Sequence, residues 1–227
     1  MSRTYEAKAS EGLAHLGLGT ALELLDSTAQ KAAASKWSYS HFLGYLLDAE
    51  IKGKQERQVA IATKFARFPY RKNLDDFDFK AQPSIDPKLI DELATLRFIG
   101  EGRNVVLLGP PGVGKTHLAI ALALKAIQDG HRAYFINAMD MARKLAEATE
   151  RNQLPRLIQS MTKIRLLVLD EVGYLELSKK QASLLFQIIS LRYEAKLPII
   201  LTSNKAFGDW ASVFAGDHVM ASAALDS

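Results

Sequence analysis

Gly109-Pro-Pro-Gly-Val-Gly-Lys-Thr116 fits the pattern G-x-x-x-x-G-K-[ST]. It stands between a strand-like Asn104-Val-Val-Leu-Leu108 and a helical Thr116-His-Leu-Ala-Ile-Ala-Leu-Ala-Leu124. Placement carries the reading. Glycines let backbone N–H groups converge on phosphate oxygens, and the positive end of the following helix adds to the field. The candidate nucleotide contacts are Gly109, Pro110, Pro111, Gly112, Val113, Gly114, Lys115, Thr116 and His117. In this pattern Lys115 reaches the β- and γ-phosphates of a nucleotide, and Thr116 ligates Mg²⁺.

Downstream, short apolar runs (Val105 to Leu108, Ala133 to Ile136, Leu166 to Leu169, Ile199 to Leu201) alternate with helix-period stretches near 115–129, 138–149 and 178–195. That alternation predicts an α/β fold, a parallel sheet covered on both faces by crossover helices. Ile164-Arg-Leu-Leu-Val-Leu-Asp170-Glu171 delivers two carboxylates to the carboxyl end of a strand, the edge where such sheets place ligands. Asp170 suits Mg²⁺ coordination through water, and Glu171 suits polarising an attacking water. Ile199-Ile-Leu-Thr202-Ser203-Asn204 again ends a strand in polar groups. There Asn204 is placed to orient the hydrolytic water, although Thr-Ser-Asn is also ordinary turn chemistry.

Upstream, residues 11–68 read as helices with few breakers, a small all-helical amino-terminal domain over residues 1–68. The pattern lapses around Pro69 and Pro83. Asp86-Pro87 then opens a helix that Gly100-Glu-Gly102 closes, so residues 69–103 read as a linker and lead-in helix to a core at 104–227.

The chain has 227 residues with 48% hydrophobic side chains, enough for a sizeable core. It lacks cysteine, which excludes disulfide scaffolds and thiolate chemistry. Its five histidines show no metal-ligand spacing. No apolar run approaches a membrane span, and the polar amino terminus points to the cytoplasm. The net charge of +4 is local: residues 48–72 hold seven basic side chains against three acidic ones, and the rest of the chain balances. On a helix, Lys54, Arg57, Lys64 and Arg67 fall within an arc of roughly 140°, a ridge suited either to phosphate-backbone contact or simply to solvation.

Several stretches together resemble the IstB-like ATP-binding proteins, helpers of bacterial insertion-sequence transposition related to DnaC-type helicase loaders. They are Leu74-Asp-Asp-Phe-Asp-Phe79, Leu107 to Ala119 around the glycine-rich loop, Asp170-Glu-Val-Gly-Tyr-Leu175, Leu184-Leu-Phe-Gln187 with Arg192-Tyr-Glu194, and Leu201-Thr-Ser-Asn-Lys205. The resemblance implies an AAA+ P-loop core with strand order 5-1-4-3-2 and a homo-oligomer assembled on duplex DNA by ATP. It further implies delivery of target DNA to a transposase. Lys115 and Thr116 would then serve as Walker A residues, Asp170 and Glu171 as Walker B, and Asn204 as sensor 1.

In that family the helix matching Val219 to Asp226 continues with Asp-Arg and a final strand, whereas here the sequence reads Leu225-Asp226-Ser227. The expectation is a shortened chain or a disrupted gene copy. An arginine finger worth about 10³–10⁵ in rate is then absent and hydrolysis slow. The first strand, lacking its fifth neighbour, becomes an exposed apolar edge unless a partner covers it. Other readings stay open: a loader for a replicative helicase, a P-loop kinase of small molecules, or a nucleotide-gated binding protein without turnover.

Overall fold

The computed structural model describes residues 4–174 and 177–210; residues 219–226, with the expectation placed on them, lie outside that range. The chain divides into two compact units, one ending at Ile61 and the other beginning at Ala62.

The first unit holds α1 (Tyr5–His15), α2 (Gly19–Ala34) and most of α3 (Tyr39–Ala66). Ala21, Thr28, Leu46 and Glu50 are buried. Helix α2 starts after Leu18, which has no side-chain oxygen to cap it. Glu50 of α3 takes that role. Its Oε2 accepts from the Ala21 N–H at 2.9 Å, while Oε1 accepts from Arg57 at 2.8 Å. Arg57 also donates to Thr20 Oγ1 at 2.8 Å. The Ala21 N–H, aided by Arg57 and opposed by burial, holds the Glu50 carboxyl below its ordinary value.

The second unit is built on four parallel strands: β1 (Val105–Leu108), β2 (Ala133–Asn137), β3 (Leu166–Val172) and β4 (Ile199–Ser203). Their order is β1-β4-β3-β2, so β3 and β4 are central. This is the run 1-4-3-2 of the expected order. Leu166, Leu167, Val168 and Leu169 are each at most 1% exposed, and burying each such side chain contributes about 1.5–3 kcal/mol. Side chains alternate across a strand. Leu167, Leu169, Ile199 and Leu201 therefore pack with α7 (Ala138–Glu150), α8 (Leu154–Thr162) and α9 (Lys179–Glu194) on one face. Leu166, Val168 and Ile200 point to the other face, where α6 (Lys115–Gln128) lies with Leu118 to Leu124 buried.

Two short helices lead in where the sequence predicts one, because the chain breaks at Leu96 with φ 61°. Helix α4 (Pro87–Ala94) starts where the sequence predicts: Asp86 caps it by accepting from the Lys88 N–H at 2.9 Å, and Pro87 follows. Helix α5 (Arg97–Glu101) stops at Gly102. Arg192 ties the amino-terminal ends of β3 and β4 to the end of α8. Its guanidinium, 1% exposed, donates to the carbonyls of Met161, Ile164, Arg165 and Pro198. Burial, then the neighbouring Arg165, pulls its pKa down to about 10. Among the described residues, no helix is long and apolar enough to cross a membrane.

Candidate functional site

The glycine-rich loop runs from the end of β1 into α6. Gly114, at φ 89°, occupies the cap position and offers no side chain, so the first N–H groups of α6 remain free to meet an anion. A Cβ on Gly114 would lie 2.4 Å from Phe77 Cε2, so this glycine is required twice over, by its backbone angle and by a close neighbour. Lys115 Nζ donates to the loop's own carbonyls, Gly109 O at 2.7 Å and Pro110 O at 2.8 Å. Partial burial lowers the Lys115 pKa, and the charges of Asp170 and Glu171 pull it back.

Helix α6 sets Thr116 against Asp170, with Oγ1 donating to Oδ1 at 2.9 Å. Thr202 of β4 donates to the same Oδ1 at 2.6 Å and accepts from the Glu171 N–H at 2.9 Å. Asp170 is 5% exposed. A hydroxyl and a buried carboxylate facing one another suit Mg²⁺, which keeps most of its own waters and is shared with substrate phosphates. Among the described residues no group of three or more histidine, aspartate or glutamate side chains could hold a metal ion.

Consecutive strand residues should point to opposite faces. Here the β3–β4 register shifts between Leu169 and Val172, and Glu171 takes φ 58°. The bulge turns Glu171 out of the sheet and into the cleft beside Asp170. Asn137 meets it there: Nδ2 donates to Glu171 Oε2 at 2.6 Å, while Asn137 Oδ1 caps α7 by accepting from Met139 N–H at 2.9 Å.

These groups surround a cleft of about 290 Å³ lined by Pro111, Gly112, Gly114, Lys115, Thr116, His117, Glu171 and Asn204, with Tyr70 and Tyr174 at its sides. Gly109 and Pro110 contribute carbonyls to Lys115 rather than cleft surface, and Val113 is half-buried outside the lining. His117 faces back to the lead-in segment, with Nε2 2.9 Å from Asn73 O and its ring edge-on to Phe77. Burial and the Asp170 charge raise the Tyr70 pKa.

Of the basic ridge, Lys54 and Lys64 are exposed on α3. Arg57 is engaged with Glu50 and Thr20, whereas Arg67 falls past the helix end at φ 58°, its guanidinium 5.9 Å from the Tyr134 ring centroid. The helix ends at Ala66, so an arc computed for unbroken helix does not hold at Arg67.

The residues not foreseen are Asn137, Thr202 as the bridge to Asp170, Tyr70, and Phe77 as the neighbour of the loop. Asn137 ends a parallel strand on the ligand-bearing edge, a signal that was available.

The profile of the family described as IstB-like ATP binding protein matches residues 11–227. The chain belongs to that family. It is 46% identical over 211 residues to a Geobacillus stearothermophilus protein of insertion sequence IS5376 named for ATP binding, covering 93% of this chain and 83% of that protein. A Pseudomonas aeruginosa counterpart from IS21 is 46% identical over 202 residues, 89% and 76% of the two chains. Among solved structures, the DnaC helicase loader superposes with TM-score 0.54 at 26% identity, covering 69% of this chain and 89% of that one. AMPPCP-bound DnaA from Aquifex aeolicus superposes with TM-score 0.56 at 22% identity, 68% and 47%, a likeness of fold. The second unit shares the α/β fold of these proteins.

Proposed function

We propose that this chain is an ATP-dependent helper of insertion-sequence transposition in the cytoplasm. It assembles as a homo-oligomer on duplex DNA and presents that DNA to a transposase. The observation that carries the reading is the convergence of Lys115, the Thr116–Asp170–Thr202 cluster and Glu171 on one cleft. The loop N–H groups and Lys115 bind the ATP phosphates. Thr116 and Asp170 would hold Mg²⁺, which would neutralise charge on the phosphates. Glu171 accepts a proton from a water that Asn204 orients.

DNA contact is assigned to Lys54 and Lys64, with Arg57 and Arg67 close in sequence. If these α3 residues neutralise about three phosphates, they contribute about −2.7 per subunit to the slope of log K against log salt. The test is duplex binding by the full chain with and without ATP·Mg²⁺, followed by release of phosphate with no added acceptor. ATP-dependent, salt-sensitive binding with acceptor-free hydrolysis is expected. Binding indifferent to ATP would refute the proposal, and phosphate transfer only to an added metabolite would make the chain a kinase.

A second reading, a helicase loader, draws on the likeness to the DnaC helicase loader. Purified transposase and replicative helicase, offered separately to the ATP-bound chain, distinguish the two.

A further inference from the structure

Each of the four strands is preceded by a basic side chain: Arg103 before β1, Arg132 before β2, Arg165 before β3 and Lys196 before β4. Because all four strands are parallel, these residues stand along one edge of the sheet, opposite the edge that carries the nucleotide cleft. Neighbouring strands lie about 4.8 Å apart, so the row is about 14 Å long. Lys163 adds a charge beside Arg165.

The charge on this edge is largely uncompensated. Segments 97–104, 129–132, 162–165 and 192–198 together carry seven basic and three acidic residues. Glu101 pairs with Arg103, and Asp129 lies beside His131. Among the described residues, no carboxylate lies within ion-pair distance of Arg132, Lys163, Arg165 or Lys196. Arg165 donates to the carbonyls of Ile99 and Lys196, and the buried Arg192 behind it donates only to carbonyls. The negative ends of α6, α8 and α9, about half a charge each, offset less than half of the excess. Arg103, Arg132, Lys163 and Lys196 are exposed.

We propose that this edge is a second duplex-binding surface that grips the phosphate backbone without reading bases. Each DNA strand presents one phosphate per about 3.4 Å of helix axis, so a row of about 14 Å spans the axial rise of about four of them. The inference rests on the DNA-binding reading above and adds a contact on the ATPase unit, distant from its nucleotide.

The test uses the full chain with ATP and Mg²⁺ and a labelled duplex of random sequence, titrated across salt concentrations. Arg103→Gln, Arg132→Gln, Lys163→Gln and Lys196→Gln each flatten the log K against log salt slope by about 0.9, and by roughly 3.6 combined. Because each single change is read separately, the conclusion does not depend on the fourfold variant folding. ATP affinity and melting temperature stay at wild-type values, and Arg103→Lys with Arg132→Lys binds like wild type. An unchanged slope in the glutamine variants, with wild type binding duplex, overturns the edge assignment alone, as does a loss of affinity that the lysine pair reproduces. No duplex binding by wild type overturns the parent reading together with this one.

Discussion

Replacing Gly114 by alanine should damage ATP binding through the lead-in segment as well as through the loop itself. Two costs arise. Holding a residue with a Cβ at φ 89° costs about 1–2 kcal/mol. The added methyl lies 2.4 Å from Phe77 Cε2, and Phe77, 8% exposed and packed with Ile90 and Leu118, has little room to retreat. Overpacking of that kind costs about 1–3 kcal/mol. Together, about 2–5 kcal/mol falls on the loop that must cradle phosphate, a loss of roughly 30- to several-thousand-fold in affinity. The two costs separate in a double-mutant cycle. Phe77→Ala removes the clash but not the backbone strain, so the double variant should recover about 1–3 kcal/mol of ATP affinity relative to additivity. Calorimetric titration of the four proteins with ATP·Mg²⁺ reads the coupling directly, with urea midpoints recording the cost of Phe77→Ala to folding. Additivity within about 0.5 kcal/mol, or wild-type affinity in Gly114→Ala, would refute the reasoning.

Three further outcomes follow from the site and the helical unit. Asn137→Ala releases Glu171 from a 2.6 Å bond. Bonds to charged groups contribute about 1.5–3 kcal/mol, so steady-state hydrolysis should fall on the order of 10- to 100-fold while ATP affinity holds within twofold. Asp170→Asn removes the charge shared by Thr116 and Thr202; ATP affinity should lose its dependence on Mg²⁺ and keep its magnesium-free value, measured by titration with and without chelator. The Glu50 carboxyl has a folded pKa below its ordinary 4.5. Its stabilising contribution is therefore full above pH 4.5 and is lost as pH falls through the lower folded value. Glu50→Gln should melt earlier than wild type at pH 7, with the gap closing in acid, as followed by circular dichroism.

The phosphate site was legible because spacing alone specifies it: a strand, six loop residues, then Lys115 and Thr116 opening a helix. Asp170 was legible because an apolar run of β-type residues ends on it. Asn137 was not, since an asparagine between a strand and a helix also reads as a cap, and it is indeed the cap of α7. Its second bond depends on β2 lying beside β3, a long-range fact. Glu50 escaped notice for the same reason. On α3 it resembles any exposed acid, and only the approach of α2 turns it into a cap on another helix. The basic ridge failed at Arg67 because periodicity presumes that a helix continues, and this one ends one residue earlier.

The irregularity in β3 sends two adjacent acids to different work, one to the hydroxyls behind the loop and the other toward water and Asn137. Losing a single residue at that point would let the ladder zip into perfect alternation. The sheet would gain regularity while the second acid swung beneath the helices, away from any solvent it could activate. A search that compared side chains and ignored the main-chain kink would score such a descendant as intact.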